Sequence, residues 1–199
     1  MNDVTRHYDS LIDENNDPVH DPKPLKDYMD KWDGNRFIDS MQLDKSRSVL
    51  EIGVGTGRIA IKVAPLCERF CGIDISPKTV QRAEKNLSSH KNVKLICADF
   101  MSFEFSERFD VIYSSLTFMH IEDKLSAINK TASLLKKGGL FVLSLDKNQS
   151  EFIDLGTRKI KIYPDTPEKI REFISQTGLI VTEEFETEFA YVTISKKQI

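Results

Sequence analysis

The chain has 199 residues, enough for one domain with its own core, and 40% of them are apolar. Charged residues make up 30% and the net charge is −3, without the concentrated basic face of a nucleic-acid binder. The opening MNDVTRHYDS is polar and no apolar run is long enough to cross a bilayer, so the expectation is a cytoplasmic protein partnered by neither membrane nor nucleic acid.

The acidity is uneven. Residues 1–35 hold nine Asp or Glu against four Lys or Arg, so an acidic extension (residues 1–45) precedes a nearly neutral domain (residues 46–199). Cys67, Cys71 and Cys97 lack a second Cys/His cluster, so they read as reduced thiols and no metal site is expected. Residues 14–24 (ENNDPVHDPKP) are irregular. A helix from about Leu25 would carry Leu25, Tyr28, Met29 and Trp32 on one face, and a second short one Phe37, Ile38 and Met41.

From Ser46 the pattern alternates. Ser48 to Ile52 is a short buried strand, Arg58 to Ala64 a helix disturbed by Pro65, and Phe70 to Ile75 a second strand. Ser76-Pro77 opens a helix as N-cap and first-turn proline. Val93 to Ala98 and Phe109 to Ser114 are strands three and four. The next helix carries Leu125, Ile128, Ala132 and Leu135 and stops at Gly138-Gly139, before a fifth strand at Leu140 to Leu145. Thr166-Pro167 caps a last helix, and Ile180 to Phe185 and Tyr191 to Ser195 are two closing strands. The alternation predicts a parallel sheet with helices on both faces, and the short final connection makes the last strand antiparallel.

The chemistry gathers at Glu51-Ile52-Gly53-Val54-Gly55-Thr56-Gly57-Arg58. Three alternating glycines follow a strand and open a helix, so the backbone turns sharply and a ligand can approach it closely. The dinucleotide pattern G-x-G-x-x-G requires its third glycine where Arg58 stands. Glu51, beside the loop, would repel a pyrophosphate and suits a ligand with a positive portion. Asp74, 23 residues further on, ends the second strand and can accept from a ribose diol; alternatively it favours the following helix dipole. Asp99 can accept from an adenine amino group with Phe100 packed on the ring, or it is a turn acid.

These stretches resemble the class I S-adenosylmethionine-dependent methyltransferase family. VLEIGVGTGR resembles its first motif, GIDIS the second and CADF the third; FDVIYSSLTFMHIED resembles the fourth strand and its loop, and LLKKGGLFVLS the approach to the fifth. The resemblance is strong over about residues 46–146. It implies a Rossmann-like doubly wound α/β sheet of seven strands, order 3-2-1-4-5-7-6, with the last strand antiparallel. It also implies S-adenosylmethionine as cofactor, with Gly53, Gly55 and Gly57 along the methionine portion and Glu51 near its ammonium. Asp74, with Ile75 beside it, would hold the ribose, Asp99 and Phe100 the adenine, while Ser115 and Leu116 would border the sulfonium.

His120 has a suitable intrinsic pKa for a general base, although the family often uses a histidine here structurally. No Asn/Asp-Pro-Pro-Tyr follows the fourth strand, where Tyr113-Ser114-Ser115-Leu116 stands, which argues against nucleobase amines and glutamine amides as acceptors. The expected partner is a small-molecule acceptor, with Tyr8, Tyr28 and Trp32 as pocket candidates and residues 1–45 as a lid or a structural extension. A binder without turnover and a nicotinamide-dependent oxidoreductase are the alternatives.

Overall fold

The computed structural model describes residues 3–198. Three helices come first: α1 (Asp3–Asp13), α2 (Lys23–Met29), entered through Pro22 and Pro24, and α3 (Gly34–Asp39), whose first N–H donates to the Asp33 side chain. β1 (Ser48–Ile52) is buried at every position, as a central strand covered on both faces must be. It leads into α4 (Ala60–Val63), which Pro65 tightens into a 3-10 turn. β2 (Arg69–Asp74) follows, and α5 (Pro77–Asn86) is capped by Ser76, whose hydroxyl accepts from Thr79 N. Then come β3 (Val93–Cys97), β4 (Phe109–Ser115), a 3-10 turn at Phe118–His120, α6 (Lys124–Leu134) and β5 (Leu135–Asp146). A small hairpin, β6 (Phe152–Asp154) and β7 (Lys159–Lys161), precedes α7 (Pro167–Ser175), β8 (Leu179–Glu186) and β9 (Ala190–Lys197).

The main sheet has seven strands in the order β3-β2-β1-β4-β5-β9-β8. β1 to β5 are parallel, and β9 runs antiparallel to both β5 and β8. With β8 and β9 counted as the sixth and seventh strands of this sheet, that is the expected 3-2-1-4-5-7-6 order. Alternate residues of each strand feed two cores. Leu50, Ile112 and Phe141 pack with α6 and α7. Val49, Val111 and Val142 pack on the other face with Phe37, Met41 and α4.

The structure departs from the sequence reading in three places. The first helix, α1, lies in a stretch with no predicted element. Residues 147–165, an insertion before the last helix for which the sequence predicts no element, hold the β6–β7 hairpin. The helix expected to run to Gly138-Gly139 ends at Leu134, because Leu135 is already buried in the sheet opposite Phe109. Lys136 to Gly139 then form an irregularity before Leu140 pairs with Val111, with Gly138 at φ +75°.

Candidate functional site

A cavity of about 590 Å³ opens beyond the carboxyl ends of β1, β2, β3 and β4, where the strand order reverses and open α/β sheets bind ligands. Its floor is the loop after β1. Gly53 N and Val54 N both donate to Ile73 O, at 2.8 and 3.1 Å, which pulls the loop tight onto β2. Gly53 has φ +81°, and a Cβ there would sit 1.9 Å from Thr117 Oγ1, so only glycine fits. Gly55 faces open space and donates its N–H to Asp74 Oδ2 at 3.0 Å. Gly57 does not line the cavity; it lets Leu87 pack against the loop, 3.1 Å from where its Cβ would stand.

The carboxylates are set by the strand ends. Glu51 is 3% exposed and accepts from the Tyr113 hydroxyl at 2.8 Å. Burial raises its pKa well above the usual carboxylate range, against the pull of Tyr113 and Arg58. Asp74 accepts from Gly55 N and Ser76 N, and burial again outweighs these bonds and raises its pKa. Asp99 is exposed, accepts from Met101 N at 2.8 Å, and lines the cavity with Ile75 and Phe100. Ser115 and Leu116 complete the wall after β4, Leu116 at φ +56°. The site thus holds two acids, the buried Glu51 and the half-buried Asp74, without a cation bonded to either.

Arg58, the loop's own cation, is committed elsewhere. Its guanidinium grips both carboxylate oxygens of Asp33, at 2.9 and 2.5 Å, and Ser115 Oγ donates to the same carboxylate at 2.9 Å. Asp33 stays well ionised despite its burial, because Arg58, Gly34 N and Ser115 all favour the charge. In the sequence Asp33 stands only at the break Asp33-Gly34-Asn35 between the two short helices, an acid ahead of a glycine with no other signal. Tyr113 and Arg58 were likewise missed, since their roles depend on partners 62 and 25 residues away.

Overhead lies α1. Val4, Tyr8, Leu11 and Ile12 face the cavity. Tyr8 Oη and His120 Nε2 are 2.8 Å apart across the opening. Burial lowers the His120 pKa to about 4 and raises that of Tyr8, so both are uncharged at neutral pH. The helix is fastened at several points. Asp9 accepts from Ser76 Oγ and Lys78 N at the start of α5, Asp13 pairs with Lys78, and Asp17 with Arg82. Arg158, in the β6–β7 turn, pairs with Glu14 and donates to His7 Nδ1. Tyr28 and Trp32 lie outside the cavity: Trp32 stacks 4.7 Å from Phe189, and Tyr28, 47% exposed, packs on both rings.

Residues 43–191 match the family described as a methyltransferase domain. The chain belongs to the class I S-adenosylmethionine-dependent methyltransferases. This methyltransferase is 30% identical over 173 residues to an uncharacterized methyltransferase of Anoxybacillus flavithermus, covering 78% of this chain and 80% of the relative. It is 32% identical over 113 residues to malonyl-[acyl-carrier protein] O-methyltransferase 1 of Ilyobacter polytropus, covering 54% of this chain and 41% of that protein, so it spans less than half that relative's length. Its fold matches magnesium protoporphyrin IX methyltransferase from Synechocystis PCC 6803, crystallised with bound S-adenosylhomocysteine. The TM-score is 0.75 at 17% identity, covering 98% of both chains. Neither alternative reading, a binder without turnover or an oxidoreductase, draws support from these likenesses. Among the described residues no helix of this methyltransferase is long and apolar enough to cross a membrane, and no group of side chains is arranged to hold a metal ion.

Proposed function

We propose that this chain transfers the methyl group of S-adenosylmethionine to a small-molecule acceptor, in the cytoplasm and without nucleic acid as substrate. The observation that carries the reading is the pair of acids, Glu51 buried and Asp74 half-buried, flanking a glycine loop in a cavity where the one Arg, Arg58, is held by Asp33. Buried carboxylates without a counter-ion are costly unless a ligand brings one. An amino-acid nucleoside with an ammonium and a ribose diol meets both.

Glu51 would take the ammonium and Asp74 the diol, over the open floor at Gly53 and Gly55. Ile75, Asp99 and Phe100 would hold the base, with Ser115 and Leu116 at the reacting end. When bound, the cofactor supplies a methyl group already activated on sulfur. The chain's own work is then positioning and exclusion of water. A pKa of about 4 makes His120 a poor base at neutral pH. Its bond to Tyr8 instead latches α1 to the loop after β4, and residues 3–18 act as the lid.

Calorimetry with S-adenosylhomocysteine and NAD tests the cofactor: the first binds and the second does not. Tight NAD binding with no response to S-adenosylhomocysteine overturns the reading. A chain lacking residues 1–18 tests the lid. It folds, binds the cofactor more weakly and loses methyl transfer; undiminished binding shows that α1 is only a structural cover.

A further inference from the structure

The cavity wall carries five carboxylates, Glu51, Asp74, Asp99, Glu122 and Asp123, against one guanidinium. That guanidinium is spent on Asp33. Neighbouring cations are engaged as well. Arg158 pairs with Glu14, and Lys124 is buried between Asp165 and the Tyr163 carbonyl. In the proposed reading Glu51, Asp74 and Asp99 serve the cofactor, which leaves Glu122 and Asp123 at the acceptor end beside Tyr8 and His120. Asp123 is fixed as the cap of α6, where it accepts from Ser126 N and Oγ. Glu122 remains to meet a ligand. Around Tyr8 and His120 the lining is apolar: Val4, one turn before Tyr8, with Met119 and Ile121 on either side of His120.

Among the described residues of the lining, an anionic acceptor finds no uncommitted cation to pair with. A carboxylate or phosphate entering this cavity would be stripped of water and set beside like charges, which is unfavourable on both counts. A cationic or polar head on an apolar body meets the opposite conditions. We infer that the acceptor is an amine on a small apolar body, drawn in by the acids at the rim and received by the apolar wall of α1, and that carboxylate and phosphate acceptors are excluded. The inference rests on the methyltransferase reading. The ammonium first gives one proton to water at the rim; the free base then supplies the lone pair for the new N–C bond while the C–S pair returns to sulfur. The extra proton on the product nitrogen then passes to water at the rim.

The test uses three probes with one apolar body: hexylamine, hexanol and hexanoate, each titrated by calorimetry into protein saturated with S-adenosylhomocysteine. Hexylamine is expected to bind at least about tenfold more tightly than hexanoate, with hexanol between them. Glu122→Gln should narrow the gap between hexylamine and hexanol, and Glu122→Lys should admit hexanoate. Hexanoate binding as tightly as hexylamine, an order of affinities unmoved by Glu122→Lys, or binding of none of the three overturns the inference. The saturation step separates the two readings. Failure to bind S-adenosylhomocysteine removes the proposed function and this inference with it; a wrong charge order in saturated protein removes the inference alone.

Discussion

Glu51→Gln separates what the site needs for its ligand from what the fold needs for itself. Glu51 is 3% exposed, its closest polar partner is the Tyr113 hydroxyl at 2.8 Å, and its pKa is raised chiefly by burial. A carboxyl whose folded pKa lies above its unfolded one contributes stability that is complete below the unfolded value, near 4.5, and is lost as pH rises through the folded value. At neutral pH the ligand-free protein therefore carries a penalty that the amide does not. The amide still accepts from Tyr113, so the variant should be more stable by about 1–2 kcal/mol, a rise in Tm of roughly 2–8 °C for a chain of this size. The gain should be present at pH 8 and vanish below about pH 4.5. Loss of a charged acceptor costs about 1.5–3 kcal/mol, so S-adenosylhomocysteine should bind roughly 10- to 150-fold more weakly. Thermal melts with and without S-adenosylhomocysteine across pH, joined to calorimetry, read both effects. A variant that is less stable at pH 8 and binds as before would refute the reasoning.

Asp74→Asn should weaken S-adenosylhomocysteine binding by about tenfold to a hundredfold, measured by calorimetry; unchanged affinity takes Asp74 out of the site. Gly53→Ala meets both a φ of +81° and the Thr117 side chain, so it should cost about 2–4 kcal/mol in denaturant unfolding. Adding Thr117→Ala should return only part of the steric share, because the Thr117 Cβ, 2.6 Å from the new methyl, remains; Thr117→Gly should return more of it and leave the backbone share. His120, with a folded pKa of about 4 against 6.5 unfolded, contributes stability that is fully present above pH 6.5 and lost as pH falls to about 4. Shifts of that size correspond to about 3 kcal/mol, and His120→Gln should remove that part of the acid slope in unfolding midpoints between pH 6.5 and 4.

The sheet was legible because strands buried on both faces are short apolar runs, and each is punctuated by a residue with a fixed local meaning, such as Ser76-Pro77 or Thr166-Pro167. The acids at strand ends were legible for the same reason: a strand of known direction says which end faces the crevice. What escaped is whatever depends on distant partners. α1 went unread although Val4, Tyr8, Leu11 and Ile12 stand at helical spacing, because that apolar stripe lies in a short, polar and acidic stretch with no sheet neighbour in sequence to place it. Trp32 looked like a pocket residue because it is a lone tryptophan in an acidic extension; its ring is claimed by Phe189, 157 positions later. Asp33 read as punctuation, yet with Arg58 and Ser115 it joins the extension, the glycine loop and the end of β4.

The fastening of α1 also sets an order of events along the chain. Glu14 and Arg158 are 144 residues apart, and Tyr8 and His120 are 112 apart. α1 precedes in sequence every element on which it docks. During synthesis it leaves the ribosome without a surface to rest on, while β1, β2 and the glycine loop can already assemble with their immediate neighbours. Closing such long intervals is slow relative to local helix formation. A nascent or truncated chain ending before Arg158 would therefore hold the ligand-binding loop without its clamp, so competence to retain a ligand should arrive after the fold of the sheet, in a separate and later kinetic phase.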